Sequence, residues 1–171
     1  MSYDLIITGG KVVDGTGSAT FDADVAIKDG VIAKVGDLSE AVSADVINAD
    51  NRIVTPGFVD IHTHYDAQIF WERMLTISPW HGGTSVVMGN CGVGVAPVPP
   101  GGERELIELM EGVEDIPGTA LYEGMPWGAW ETFPEYLDTV AKLPKAINYG
   151  AFLGHSALRM YAMGDRALPE T

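Results

Sequence analysis

The chain has 171 residues, 46% of them apolar and 20% charged, enough to bury the core of one ordinary domain. Acidic residues outnumber Lys and Arg by 24 to 10, a formal charge of −14, with no basic cluster anywhere. That balance argues against a nucleic-acid or anionic-membrane partner and fits a solvated acidic surface.

Met1 to Ile7 has no basic n-region, and its apolar run is too short for a signal peptide or a membrane span. The single cysteine, Cys91, cannot form an internal disulfide. Together these features give an expected cytoplasmic location, where a thiolate can remain a metal ligand. Residues 1–55 then read as a small antiparallel β module. Leu5 to Val13 predicts a hairpin through Gly9-Gly10, and Asp24 to Val35 predicts two alternating strands about Asp29-Gly30, a strong hairpin signal. Val46 to Ala49 leads into a further turn at Asp50-Asn51.

From Pro56 the pattern changes to buried strand, polar loop and helix. The run Thr55-Pro56-Gly57-Phe58-Val59-Asp60-Ile61-His62-Thr63-His64 predicts a strand that ends in a His-x-His pair. Side chains two apart on a strand share a face, so His62 and His64 present two imidazoles in one direction, with Asp60 behind them. Neutral imidazole is a good ligand for zinc and other first-row metals. Gly82 to Met88 predicts a second short buried strand, placing Cys91 just past its end as a third candidate ligand.

Beyond Cys91, Glu103 to Met110 carries Leu106, Ile107, Leu109 and Met110 at helical spacing, and Pro117 to Glu131 reads as a long aromatic, glycine-rich loop. Its tryptophans, Trp127 and Trp130, suit either a pocket wall or packing against a helix. Thr132-Phe133-Pro134-Glu135 is a capping-box pattern opening a helix that Pro144 stops. Ala146 to Leu153 predicts a third strand, leading into Gly154-His155-Ser156. Strands alternating with helices imply parallel βα units.

Pro56 to His64 followed by Gly89-Asn90-Cys91-Gly92 resembles the amidohydrolase superfamily. Within it, His64-Tyr65-Asp66-Ala67-Gln68, Leu109 to Gly118 and Gly154 to Arg159 make the chain similar to the D-aminoacylase branch, the N-acyl-D-amino-acid deacylases. The resemblance implies an α/β fold, a metal-dependent (β/α)₈ barrel over residues 56–171 preceded by a small β-sandwich module over 1–55. In such a barrel the chemistry sits at the C-terminal ends of the strands. It implies His62, His64 and Cys91 as ligands of one or two zinc ions. Asp60, Tyr65, Asp66 and His155 are candidate supporting or pocket residues, and none is assigned as the catalytic acid–base.

The implied reaction is metal-assisted hydrolysis of the amide bond of an N-acyl-D-amino acid by water. Alternatives are a non-catalytic structural subunit, or an amidohydrolase acting on a cyclic amide. The last is disfavoured because relatives of that kind more often use a carboxylated lysine where this chain has Cys91. Three strands do not make an eight-stranded barrel, which typically needs about 250 residues. The resemblance accordingly implies that the remaining metal-binding histidines and a catalytic aspartate lie beyond Thr171 or on a companion polypeptide.

Overall fold

The computed structural model describes residues 2–167, a mixed α/β chain of two units, Met1–Pro56 and Gly57–Thr171. In the first unit the long strand β1 (Ser2–Val12) is central. It pairs antiparallel with β2 (Phe21–Lys28), which pairs antiparallel with β3 (Val31–Gly36). The β2–β3 connection is tight because Asp29 (φ 51°) and Gly30 (φ 77°) are both left-handed, as a two-residue hairpin loop matched to strand twist requires.

Two expectations for this unit are corrected. Gly9-Gly10 is not a hairpin turn: β1 runs straight through, and the extra residue is absorbed as a bulge between Ile7 and Gly10. Gly9 takes a φ of 70°, and its N–H is captured at 2.9 Å by Asp24 Oδ1. The sheet is also mixed, not antiparallel, since β4 (Val42–Asn48) and β5 (Ile53–Val54) both run parallel to β1. The β2–β3 hairpin comes between β1 and β4 in sequence, so the chain can cross back and run with β1. Ile6, Ala26 and Leu38 form the small core.

In the second unit β6 (Phe58–Asp60), β7 (Gly83–Met88) and β8 (Asn148–Ala151) form a parallel sheet in that order. Parallel pairing needs crossovers. The first holds the short helix α1 (Ile77–Trp80). The second holds α2 (Glu103–Glu114), α3 (Gly118–Gly124) and α4 (Phe133–Ala141), and α5 (His155–Met163) follows β8.

Helix α3 falls inside the stretch expected to be a loop. Glycines bound it and no side chain caps its start, so local pattern gave no warning. Its last turn is held from outside, where Trp127 Nε1 donates to the Leu121 carbonyl at 3.0 Å. Trp130 lies in the core, stacked on Phe70 at 5.2 Å and edge-on to Tyr136 at 5.3 Å, with its Nε1 bonded to the Val95 carbonyl. Packing is thus the role of both tryptophans.

The capping box on α4 forms as expected. Glu135 Oε2 accepts from the backbone N–H groups of Thr132 (2.8 Å) and Glu131 (3.0 Å) and from the Thr132 hydroxyl, while the reverse bond from Glu135 N to Thr132 is long at 3.5 Å. The carboxylate carries most of the box. These bonds hold the Glu135 carboxyl below the ordinary glutamate value of 4.5. A depressed carboxylate contributes stability above its unfolded value, lost as pH falls through the folded one. Glu135→Gln is therefore expected to lower stability at pH 7, with the deficit shrinking as pH falls below 4.5. Denaturant unfolding of both proteins from pH 7 to 3 measures it, and a deficit constant across that range would contradict the assignment.

Candidate metal centre

The site is built beyond the C-terminal ends of β6 and β7. Strand β6 stops at Asp60, four residues short of the expected end. Asp60 Oδ1 accepts from His62 N at 3.1 Å, which turns the backbone out of the ladder. Pairing resumes at Thr63, whose N–H and hydroxyl both donate to the Val87 carbonyl at 2.9 Å. Thr63 is buried, so its neighbours His62 and His64 keep the alternation expected of a strand. Their ring centroids are 5.5 Å apart.

Cys91 reaches the same place from β7 through a turn of unusual backbone. Gly89 (φ 79°), Cys91 (φ 55°) and Gly92 (φ 77°) are all left-handed. For a non-glycine residue that conformation costs about 1–2 kcal/mol, and such strain marks positions that the surrounding structure over-determines. Here three bonds do so. Gly89 N–H donates to Asp66 Oδ2 at 2.9 Å, and Asn90 Nδ2 donates to the carbonyls of Val87 (2.8 Å) and Thr63 (3.1 Å). The last ties the cysteine turn directly to the histidine segment.

The donor atoms of His62, His64 and Cys91 all lie within 4.8 Å of one another, with His62 Nε2 and Cys91 Sγ at 3.2 Å. Donors sharing one ion at bonds of about 2.0–2.3 Å stand roughly 3–4.5 Å apart. Two imidazoles and a thiol so arranged suit zinc by chemistry and by spacing.

The other candidate residues divide. Asp66 is buried beneath the turn, and burial, opposed by the Gly89 amide and reinforced by the charge of Glu114, raises its carboxyl to about 6. Its role is to hold Gly89. Tyr65 is bonded through its hydroxyl to Ser78 Oγ at 3.0 Å and packs on the core. Asp60 shapes the backbone at His62. His155, the first residue of α5, is exposed, lies outside the three-donor cluster and lines a surface cavity with Arg104, Glu108 and Arg159.

Sequence reading missed Glu114. It is the last residue of α2, and its Oε1 stands 3.5 Å from His64 Nδ1, both side chains being largely buried. A signal was present: Leu106, Ile107 and Met110 form the buried stripe of α2, and Glu114 continues it at i+4 from Met110. A carboxylate on a core-facing stripe needs a reason.

Imidazoles and a thiol converging beyond the ends of parallel strands define a mixed α/β protein with a metal-binding type of donor set. The chain belongs to the amidohydrolase family, whose sequence model matches residues 45–170. It is 39% identical over 165 residues to N-acyl-D-glutamate deacylase of Alcaligenes xylosoxydans xylosoxydans, covering 96% of this chain and 31% of that protein. The crystal structure of N-acyl-D-glutamate deacylase from Bordetella bronchiseptica, complexed with zinc and a phosphonate mimic of the tetrahedral intermediate, matches with a TM-score of 0.76 and 33% identity. That match covers 100% of this chain and 33% of the other. A D-aminoacylase structure described by its binuclear metal centre matches with a TM-score of 0.74 and 35% identity over 95% of this chain and 32% of that one. The chain thus spans about 28–31% of the length of the curated relatives it matches.

A Cβ at Gly89 would run into the Phe152 carbonyl, whereas one at Gly101, also left-handed (φ 80°), would meet nothing within 4 Å. Gly89→Ala is therefore expected to cost more than Gly101→Ala by about 1–3 kcal/mol of overpacking. Paired denaturant titrations measure the difference, and equal losses would show that the turn does not press on the Phe152 backbone.

Proposed function

We propose that this chain is the donor-bearing part of a zinc-dependent amidohydrolase that hydrolyses N-acyl-D-amino acids to a carboxylate and a free D-amino acid. The observation that carries the reading is the convergence of His62, His64 and Cys91, in a chain similar to D-aminoacylase and to N-acyl-D-glutamate and N-acyl-D-aspartate deacylases. The reading takes one or two ions at this cluster, with Cys91 among their donors. A divalent ion held there would lower the pKa of a water toward about 7 and polarise the acyl carbonyl.

The chain's own residues hold and aim these donors. Asn90 fixes the separation of the two donor segments, Asp66 fixes the turn of Cys91, and Asp60 fixes the backbone of His62. The acid–base carboxylate and the remaining donors come from protein outside these residues, on the same polypeptide or on a companion. Two facts support this: the chain's share of its relatives' length, and the apolar residues exposed on β6 and just past the ends of β6 and β8, Phe58, Val59, Ile61 and Phe152. On this reading β6, β7 and β8 are the first three strands of a (β/α)₈ barrel, residues 56–171 belong to it, and the five-stranded sheet of residues 1–55 is one layer of a sandwich. Among the described residues no helix is long and apolar enough to cross a membrane, and the lone thiol suits the cytoplasm.

Intact mass of the purified particle beside its native mass identifies all the polypeptide present. The zinc-loaded particle is then assayed on a panel of N-acyl-D- and N-acyl-L-amino acids. The expected result is turnover of the D series, abolished by a chelator, with Cys91→Ala lowering kcat/KM by more than the 10–100-fold typical of a residue that merely supports a ligand. Absence of amide hydrolysis by a zinc-loaded particle carrying a complete barrel would overturn the reading.

A further inference from the structure

Glu114 sits where its own helix disfavours a carboxylate. As the last residue of α2 it puts a carboxylate at the negative end of a twelve-residue helix. The next residue, Asp115, is forced left-handed (φ 54°) at the helix end, a position where glycine is usual. The segment after it is then pinned back, because Gly118 N–H donates to Glu111 Oε1 at 3.1 Å. The Glu114 side chain lies on the buried stripe of the helix and faces His64.

His64 Nδ1 is itself anomalous. It is fully buried and has no hydrogen-bond partner among the described residues, and the Glu114 oxygen at 3.5 Å is near enough for an ion pair but outside hydrogen-bonding geometry. A buried imidazole nitrogen without a partner is destabilising. Among the described residues, the group poised to satisfy it is the carboxylate that the end of α2 carries to it.

We propose that Glu114 is a positioning residue for the metal centre: it accepts the Nδ1–H of His64 and so fixes the tautomer that leaves Nε2 as the free donor. The inference rests on the metal-centre reading above. Ligating histidines commonly hand their second N–H to a carboxylate, which sets ring orientation and raises ligand basicity. Glu114 lies outside the three-donor cluster, so its action is through His64. His62 has no such partner: its Nε2 faces Cys91 and only its backbone is held, by Asp60.

Two measurements on the purified protein test this. In the metal-free protein at about pH 8.5, above the ordinary imidazole range, long-range ¹H–¹⁵N spectra report each histidine tautomer, with His64→Asn assigning the signal. His64 is expected as the Nδ1–H form, and an Nε2–H form overturns the proposal without any change at Glu114. Titration with Co²⁺, followed by the thiolate-to-cobalt charge-transfer band, is then compared between wild type and Glu114→Gln. The expected result is the band in both, with apparent affinity at least about tenfold weaker in the variant, while unfolding of the two metal-free proteins is alike. Equal affinities overturn the proposal. A wild-type protein that binds Co²⁺ without the thiolate band, or not at all, brings down the three-donor reading instead, and the proposal with it.

Discussion

The bond from Asn90 Nδ2 to the Thr63 carbonyl is the constraint on which the site depends. The imidazoles and the thiol come from segments some thirty residues apart in sequence, and each segment ends its strand in an irregular turn. Parallel pairing of β6 with β7 brings the strand ends side by side, but it does not fix the turns beyond them. The Asn90 amide does, because it bridges to Thr63 on one segment while holding Val87 on its own. Its two donors are used on two backbone carbonyls, so it sets a distance and not merely a contact.

The protein accepts local penalties to keep this geometry. Cys91 is left-handed, Asp66 is a carboxylate buried beneath the turn, and Glu114 opposes its own helix dipole. Each would be removed readily by a glycine, an apolar residue or a lysine if stability alone were at stake. Their offset lies in the packing beneath. The Tyr136 hydroxyl donates to the Asp66 carbonyl, and Tyr136 belongs to the aromatic cluster with Phe70 and Trp130 that fills the space between α4 and the sheet. The capping box that starts α4 thus supports, through Tyr136, the backbone from which Asp66 reaches Gly89.

What could be read from the sequence follows the range of the interactions involved. The Asp29-Gly30 turn, the Thr132/Glu135 box and the His-x-His pair are set by neighbours within a few residues, and all were legible. Gly9-Gly10 misled because a bulge and a hairpin use the same residues; the difference lies in Asp24, which sits on the partner strand. The direction of β4 was equally out of reach, being decided by where the chain returns. Helix α3 is ended by an indole from the following turn. Glu114 was visible as a charge on an apolar stripe, but its meaning required knowing that His64 lies opposite.

The three donors are not equivalent. His62 and Cys91 are exposed and touch each other, while His64 is backed by α2, with Glu114 against its far nitrogen and Asp66 two residues on, buried under the turn. One side of the cluster is therefore closed by this chain's own helix and the other is open. On the reading proposed above, room for further donors and for an acyl substrate exists only on the open side. On that same reading the closed side of the coordination sphere is shaped by residues 60–66, 87–91 and 114 of this chain. A flexible half-site would lose that advantage, since each unfixed side chain adds its ordering entropy to the cost of binding. Held backbone turns and a buried backing are what this part of the chain contributes.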